Sequence, residues 1–223
     1  MTEPCSLAKP GAIVLFGSPG SGKGTQAQLL KTHLGVPHIS TGDMLREQLR
    51  EGTALGGDVR ETMQSGSLVS DELVNRMVEE RLSRPDAARG FILDGYPRTG
   101  AQAEFLRNVL ERKGMDAVVI HLALDYNVII ARLTGRRQCP RCGTLYNILS
   151  NPPRVDGVCD KDGERLVIRD DDGEFVIRER LEAYEKLSRP LIEYYRVQGR
   201  LHEVDASSDP PETLHRKVCE ILE

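Results

Sequence analysis

Short apolar runs alternate along this chain with longer stretches whose apolar residues recur at helical spacing. Ala12-Ile13-Val14-Leu15-Phe16, bounded by Gly11 and Gly17, reads as a fully buried strand. A helix follows from about Lys23, with Ala27, Leu30 and Leu34 on one face, and Gly35 and Pro37 stop it. Phe91-Ile92-Leu93 and Ala117–Leu124 are two more candidate strands, Leu201–Val204 is a weaker one, and Pro37–Ser40 supplies a short one. Helical patterns cover Ser70–Leu82, Thr99–Lys113, Tyr126–Arg137, Phe175–Gln198 and Pro211–Leu222. Ser70 is placed to cap its helix, with Asp71 and Glu72 at the positive end of the dipole. Such alternation predicts an α/β fold, a parallel sheet with helices on both faces.

Two segments break the rhythm. Residues 40–69 hold no strand-like run and read as short helices around Gly52, Gly56-Gly57 and Gly66. Residues 138–173 are rich in Cys, Pro, Gly and Asp. Both read as insertions on the sheet domain.

The chemistry is densest at Gly17-Ser18-Pro19-Gly20-Ser21-Gly22-Lys23-Gly24-Thr25, between the first strand and the first helix. Glycines here allow successive N–H groups to encircle a phosphate at a helix N-terminus, and Lys23 can reach the terminal phosphates of a nucleotide. The general phosphate loop has Ser or Thr directly after the lysine, as a magnesium ligand; here Gly24 stands there and Thr25 follows. Asp94, closing the Phe91-Ile92-Leu93 strand, is the natural carboxylate near that metal, acting through water, unless it is only a turn aspartate.

The chain has 223 residues, with 30 Lys+Arg against 34 Asp+Glu and a net charge of −4. A mildly acidic chain with 4% aromatic residues argues against a nucleic-acid binder, which needs a basic face and stacking rings. No apolar run approaches the roughly 20 residues that cross a bilayer, and Met1–Pro10 lacks the apolar core of a signal peptide. The expectation is a cytoplasmic protein.

Cys139-x2-Cys142, sixteen residues, then Cys159-x2-Asp162 has the form of two knuckles offering four donors to Zn²⁺. Four protein ligands leave no open position, which implies a structural role; the alternative is three unliganded thiols. Cys5 reads as a terminal thiol and Cys219 as a packing residue on the last helix. The five histidines show no metal or triad spacing.

The phosphate loop, Ser40-Thr41-Gly42-Asp43-Met44-Leu45-Arg46, Asp94-Gly95-Tyr96-Pro97-Arg98-Thr99, Gly135-Arg136-Arg137 and the Cys segment, in this order, resemble the adenylate kinases from Gly11 to the C-terminus. The resemblance implies a P-loop core from 11–39, 70–135 and 174–223, a 1–10 extension, a nucleoside-monophosphate-binding insertion at 40–69 and a zinc-bearing lid at 136–173. It implies reversible transfer of a phosphoryl group from ATP to AMP, giving two ADP with Mg²⁺, in a monomer. ATP would meet Gly20, Ser21, Gly22, Lys23, Gly24, Thr25, Arg136, Leu145, Tyr146 and, more loosely aligned, Ser208. AMP would meet Thr41, Arg46, Ser67, Leu68, Val69, Gly95, Tyr96, Pro97, Arg98, Gln102, Arg169 and Arg180. Lys23, Arg98, Arg132, Arg136, Arg169 and Arg180 would surround the transferring group, and Asp162 rather than Asp160 would be the fourth zinc ligand.

Three points stay open in sequence. Gln102 pairs with the adenine edge or closes a capping box with Thr99. Asp170-Asp171-Asp172 is a solvated turn or has a part in lid closure. Arg132 and Arg136, four apart, share a face if the helix runs through both. A GTP-dependent AMP kinase and a nucleotide-hydrolysing switch are the competing readings, although the Asn-Lys-x-Asp base-reading motif of GTPase switches is missing from the chain.

Overall fold

The computed structural model describes residues 11–50, 56–169 and 172–223. Cys5 with the rest of the 1–10 extension, Gly52, Asp170 and Asp171 lie outside the described residues. At the centre, β1 (Gly11–Phe16) pairs in parallel with β3 (Phe91–Asp94) on one side and β4 (Asp116–Ala123) on the other. β2 (His38–Ser40) and β7 (Leu201–Asp205) complete a five-stranded parallel sheet of order β2-β3-β1-β4-β7. β1, β3 and β4 coincide with the apolar runs, and β2 and β7 with the short and the weaker candidate strands.

Both faces of the sheet are covered, which is why its central strands read as continuous hydrophobic runs rather than alternating ones. Ala12, Val14 and Phe16 of β1 pack with Val78 of α4 (Asp71–Leu82), Leu106 of α5 (Gly100–Lys113) and Leu191 of α8 (Leu191–Val197). Ile13 and Leu15 point to the opposite face, against Leu30 of α1 (Lys23–Leu34) and Leu214 and Val218 of α9 (Pro211–Leu222). The strand period of two thus feeds two separate cores.

Ser70 caps α4 as expected, its hydroxyl accepting from the Leu73 N–H. The 40–69 segment folds as α2 (Thr41–Arg50) and α3 (Gly56–Gln64) before α4 begins. Two helical patterns are shorter than the spacing suggested. The one over Tyr126–Arg137 ends as α6 (Tyr126–Thr134), because Gly135 sits against the Asn147 side chain and Arg136 turns into β5 (Arg136–Gln138). β5 pairs antiparallel with β6 (Leu145–Asn147). Arg132 and Arg136 therefore do not share a helix face. The pattern over Phe175–Gln198 divides into α7 (Glu174–Ala183), a wide turn and α8. Pro190 has no N–H to continue the ladder; the Arg189 N–H reaches five residues back to the Tyr184 carbonyl at 2.8 Å instead. Ser188 in that turn donates to the Arg98 carbonyl at 2.9 Å, tying it to the loop after β3.

A parallel sheet collects the loops that follow its strands along one edge. The loops after β1, β2, β3 and β7 meet there, and β5–β6 with its connections stands over them. Among the described residues, no helix is long and apolar enough to cross a membrane.

Candidate active site

One cavity of about 840 Å³ lies along that edge. Its floor is the loop from Gly17 to Gly22, which turns so tightly that a Cβ on Gly17 (φ 145°) would stand 2.7 Å from the Leu122 carbonyl oxygen. Only glycine fits there. Lys23 opens α1 and folds its ammonium back across the loop, donating to the carbonyls of Gly17 and Ser18, each at 2.8 Å, and to Ser21 Oγ at 3.3 Å. Burial lowers the pKa of this amine to about 7, aided by Arg98, Arg180 and Arg136 and opposed by Asp94. An anion placed against it would raise that value again.

Asp94 ends β3 beside β1 (Leu15↔Asp94) and faces this loop. Desolvation pushes its carboxyl upward, but the His38 hydrogen bond, the Lys23 and His38 charges and Arg98 outweigh that and hold it below the ordinary carboxylate range. A Cβ on Gly24 would come 3.4 Å from Asp94 Oδ2 and 3.5 Å from Leu145 Cδ1, so the residue that replaces the usual hydroxyl ligand lies against the carboxylate. A carboxylate beside the loop mouth suits a water-coordinated Mg²⁺ accompanying a nucleotide.

All six cations expected around the transferring group line the cavity: Lys23, Arg98, Arg132, Arg136, Arg169 and Arg180. Each comes from a different element, and several are held in place by a bond to the protein. Arg98 Nε donates to the Gly95 carbonyl at 2.8 Å, Arg132 Nη2 to the Ala206 carbonyl at 2.8 Å, and Arg169 Nε to Gln138 Oε1 at 2.6 Å. Arg136 and Arg180 both pair with Asp172, whose side chain is fully buried, Arg180 at 3.1 Å. Planar donors fixed this way suit a transferring phosphoryl group, whose charge spreads over several oxygens.

At the far end of the cavity stand Arg46, Ser67, Leu68, Val69, Gly95, Pro97 and Arg98. Arg46 donates to Asp43 Oδ1 at 2.7 Å. On the loop side are Gly20, Gly22, Gly24, Thr25, Arg136, Leu145, Tyr146 and Ser208. Four expected contacts are not brought to the wall. Ser21 is buried beneath the loop. Thr41 spends its hydroxyl on the Gly95 carbonyl at 2.9 Å, and Tyr96 is a core residue bonded to Asn75 Oδ1 at 2.6 Å. Gln102, only 2% exposed, has its N–H capped by Thr99 Oγ1 at 3.2 Å, while its side-chain Oε1 accepts from the Arg98 N–H at 2.8 Å and Nε2 donates to Asp71 Oδ1 at 2.7 Å.

Two site residues escaped sequence reasoning. Asp172, open in sequence between a solvated turn and a part in lid closure, is the buried partner of two cavity arginines; Gly173 and a helix start directly after it were the available signal. His38 bridges Gln28 Nε2 (3.1 Å) and Asp94 Oδ2 (3.2 Å), orienting the carboxylate. Its place on a short strand beside β3 pointed to it.

Above the loop, Cys139, Cys142, Cys159 and Asp162 converge with all ligand atoms within 4.8 Å of one another. The two knuckles repeat one geometry. Gly143 N–H bonds the Cys139 carbonyl and Gly163 N–H the Cys159 carbonyl, each at 3.0 Å, and both glycines have positive φ. Asp162 therefore stands where Cys142 stands in the first knuckle, whereas Asp160 is turned to the Arg154 N–H at 2.9 Å. Separations of 3.6 Å (Cys142 to Cys159 sulfur) and 3.4 Å (Cys139 sulfur to Asp162 oxygens) fall slightly inside the S···S and S···O edges of a tetrahedron around Zn²⁺, about 3.8 and 3.5 Å. The donor set fits zinc.

The family model for adenylate kinase matches residues 15–200. An adenylate kinase of Anaeromyxobacter dehalogenans (strain 2CP-C) is 50% identical over 199 residues, covering 89% of this chain and 93% of the relative. One from Pseudothermotoga lettingae is 49% identical over 210 residues, covering 93% and 94%. One from Caldanaerobacter subterraneus is 48% identical over 196 residues, covering 87% and 89%. Matched by this family model over most of its length, and 48–50% identical to these relatives over 87–93% of its residues, the chain belongs to the adenylate kinase family.

Proposed function

We infer that this chain catalyses reversible phosphoryl transfer from ATP to AMP, giving two ADP. The observation that carries the reading is one cavity lined together by the phosphate loop with Lys23, by Arg46, and by Arg98, Arg132, Arg136, Arg169 and Arg180. ATP lies with its triphosphate on the loop and Lys23; AMP lies toward Ser67–Val69 with its phosphate on Arg46 and Arg98. A phosphate oxygen of AMP attacks the γ-phosphorus in line, the bond to the β-γ bridging oxygen breaks, and ADP leaves. The attacking phosphate is already anionic, so no general base is required, and positioning with charge neutralisation does the catalysis. Mg²⁺ bound with the nucleotide supplies further neutralisation, and Asp94, oriented by His38, would hold it through water.

Segments 40–69 and 136–173 act as covers that exclude water, which prevents simple hydrolysis of ATP. Zn²⁺ on Cys139, Cys142, Cys159 and Asp162 is structural. The enzyme works in the cytoplasm and as a monomer; that one chain lines the whole cavity supports the second point. A coupled assay decides the matter: ATP consumption that depends on AMP and yields two ADP is expected, and hydrolysis indifferent to AMP would overturn the reading.

A further inference from the structure

We propose that His33, His215 and Cys219 form a second metal site, which takes a borderline divalent ion such as Zn²⁺ and ties α1 to α9. His33 lies ten residues beyond Lys23 on α1, roughly 15 Å along the helix axis, well away from the phosphate loop. His215 and Cys219 are four apart on α9 and share a face. His33 Nδ1 and His215 Nε2 are 2.6 Å apart, and Cys219 Sγ is 3.5 Å from the same His215 nitrogen. The three ligand atoms fall within 4.8 Å of one another.

An ion with Zn–N near 2.0 Å and Zn–S near 2.3 Å sets the N···S edge at about 3.5 Å and the N···N edge at about 3.3 Å. The first edge is already present. The second requires the two rings to part by about 0.7 Å, and His33 is free to yield: it is exposed in the last turn of α1, two residues before the left-handed Gly35 that ends the helix. Three protein donors leave a fourth position for water on the exposed side of His33. Two imidazoles and a thiolate select zinc-like ions, whereas the Mg²⁺ that accompanies nucleotides prefers oxygen.

Packing alone accounts poorly for His215. It is 6% exposed among Leu214, Val218 and Leu222, and its Nδ1 makes no hydrogen bond. The polar contacts of this buried ring are all made through Nε2, which faces both His33 Nδ1 and Cys219 Sγ. Coordination gives the ring a role, and the thiol proton of Cys219 leaves to solvent as the ion binds. Pro211 and Leu214 of α9 also line the nucleotide cavity, and Gln26 Nε2 of α1 donates to the Pro211 carbonyl at 2.9 Å. An ion that pins α9 to α1 therefore stiffens one wall of that cavity.

The test is a Co²⁺ titration of the full chain loaded with one equivalent of Zn²⁺, which the four-donor Cys139 cluster takes ahead of this three-donor site, beside His33→Asn and Cys219→Ser treated alike, so that uptake by the Cys139 cluster cancels in the difference. The parent is expected to bind one more Co²⁺ than either variant, with a sulfur-to-cobalt absorption band and one proton released. Each substitution is expected to weaken this binding at least about tenfold, since loss of a mere supporting partner already does so. Equal uptake by all three proteins, or extra uptake without the thiolate band, would overturn the site. His33 is exposed, so His33→Asn decides the outcome even if Cys219→Ser disturbs folding; melting without added metal checks that.

Discussion

The sheet and the Cys-bearing segment are held together by different physics. The sheet has two apolar cores, one on each face, in which β1 alone buries Ala12, Ile13, Val14, Leu15 and Phe16. Among the described residues, the segment around β5 and β6 has a cluster of four buried residues, Cys139, Tyr146, Cys159 and Leu166, and two of these belong to the converging Cys/Asp donor set. Leu149, Val155, Val167 and Ile168 of the same segment are exposed. The contrast teaches where each region's order comes from. The sheet edge positions its phosphate loop through hydrophobic burial, whereas the Cys-bearing segment has little apolar burial of its own, so an ion held by its four converging donors would supply order that packing does not.

The sharpest break of this comparison is Lys23→Met, which removes a charge from the sheet side without touching either core. Transfer is expected to fall by at least about 10²–10³-fold, the scale for losing one fixed charge-stabilising donor. Stability of the free protein should not fall. Lys23 has a folded pKa of about 7 against 10.5 for an unperturbed lysine, so between those values the unfolded chain holds more protons and the parent gains stability as pH rises. The variant is therefore expected to melt higher than the parent at pH 7, with the advantage fading towards pH 10.5. Global unfolding of the variant at pH 7 would contradict this.

Cys142→Ser tests the other side. Amide exchange across 136–169 should accelerate more than about tenfold, while exchange in β1, β3 and β4 stays slow. Uniform acceleration through the sheet would show that the two regions are not independent in this way.

Asp172→Ala addresses the seam between them. Removing a buried carboxylate leaves Arg136 and Arg180 without that partner, and the cost expected is about 3 kcal/mol. Pyrophosphate, which can replace the lost charge, should raise the melting temperature of the variant more than that of the parent. Equal responses would place Asp172 outside the anion site.

The sheet was legible because buried parallel strands are short, apolar and bounded by glycine or polar turns, as Gly11–Phe16 is. The phosphate loop was legible because its backbone demands glycine at fixed spacing. Polar residues were harder. Thr41, Tyr96 and Gln102 stand at or just after the strand ends that border the cavity, but periodicity does not say whether a hydroxyl or amide turns to the cavity or into the fold, and here each meets a protein partner. Arg136 reached the cavity from a strand rather than a helix, because Gly135 ended α6 where helical spacing alone continued it. His33 and His215 lie 182 residues apart, so only the packing of α1 on α9 brings them together.

The central claim is that two nucleotides lie end to end in one cavity, with their phosphates meeting among Lys23 and the arginines. Competition calorimetry with a bisubstrate mimic, two adenosines joined through a polyphosphate, tests it most directly. One mimic per chain, displaced by both ATP and AMP, is the predicted result. A mimic displaced by ATP but indifferent to AMP would contradict it.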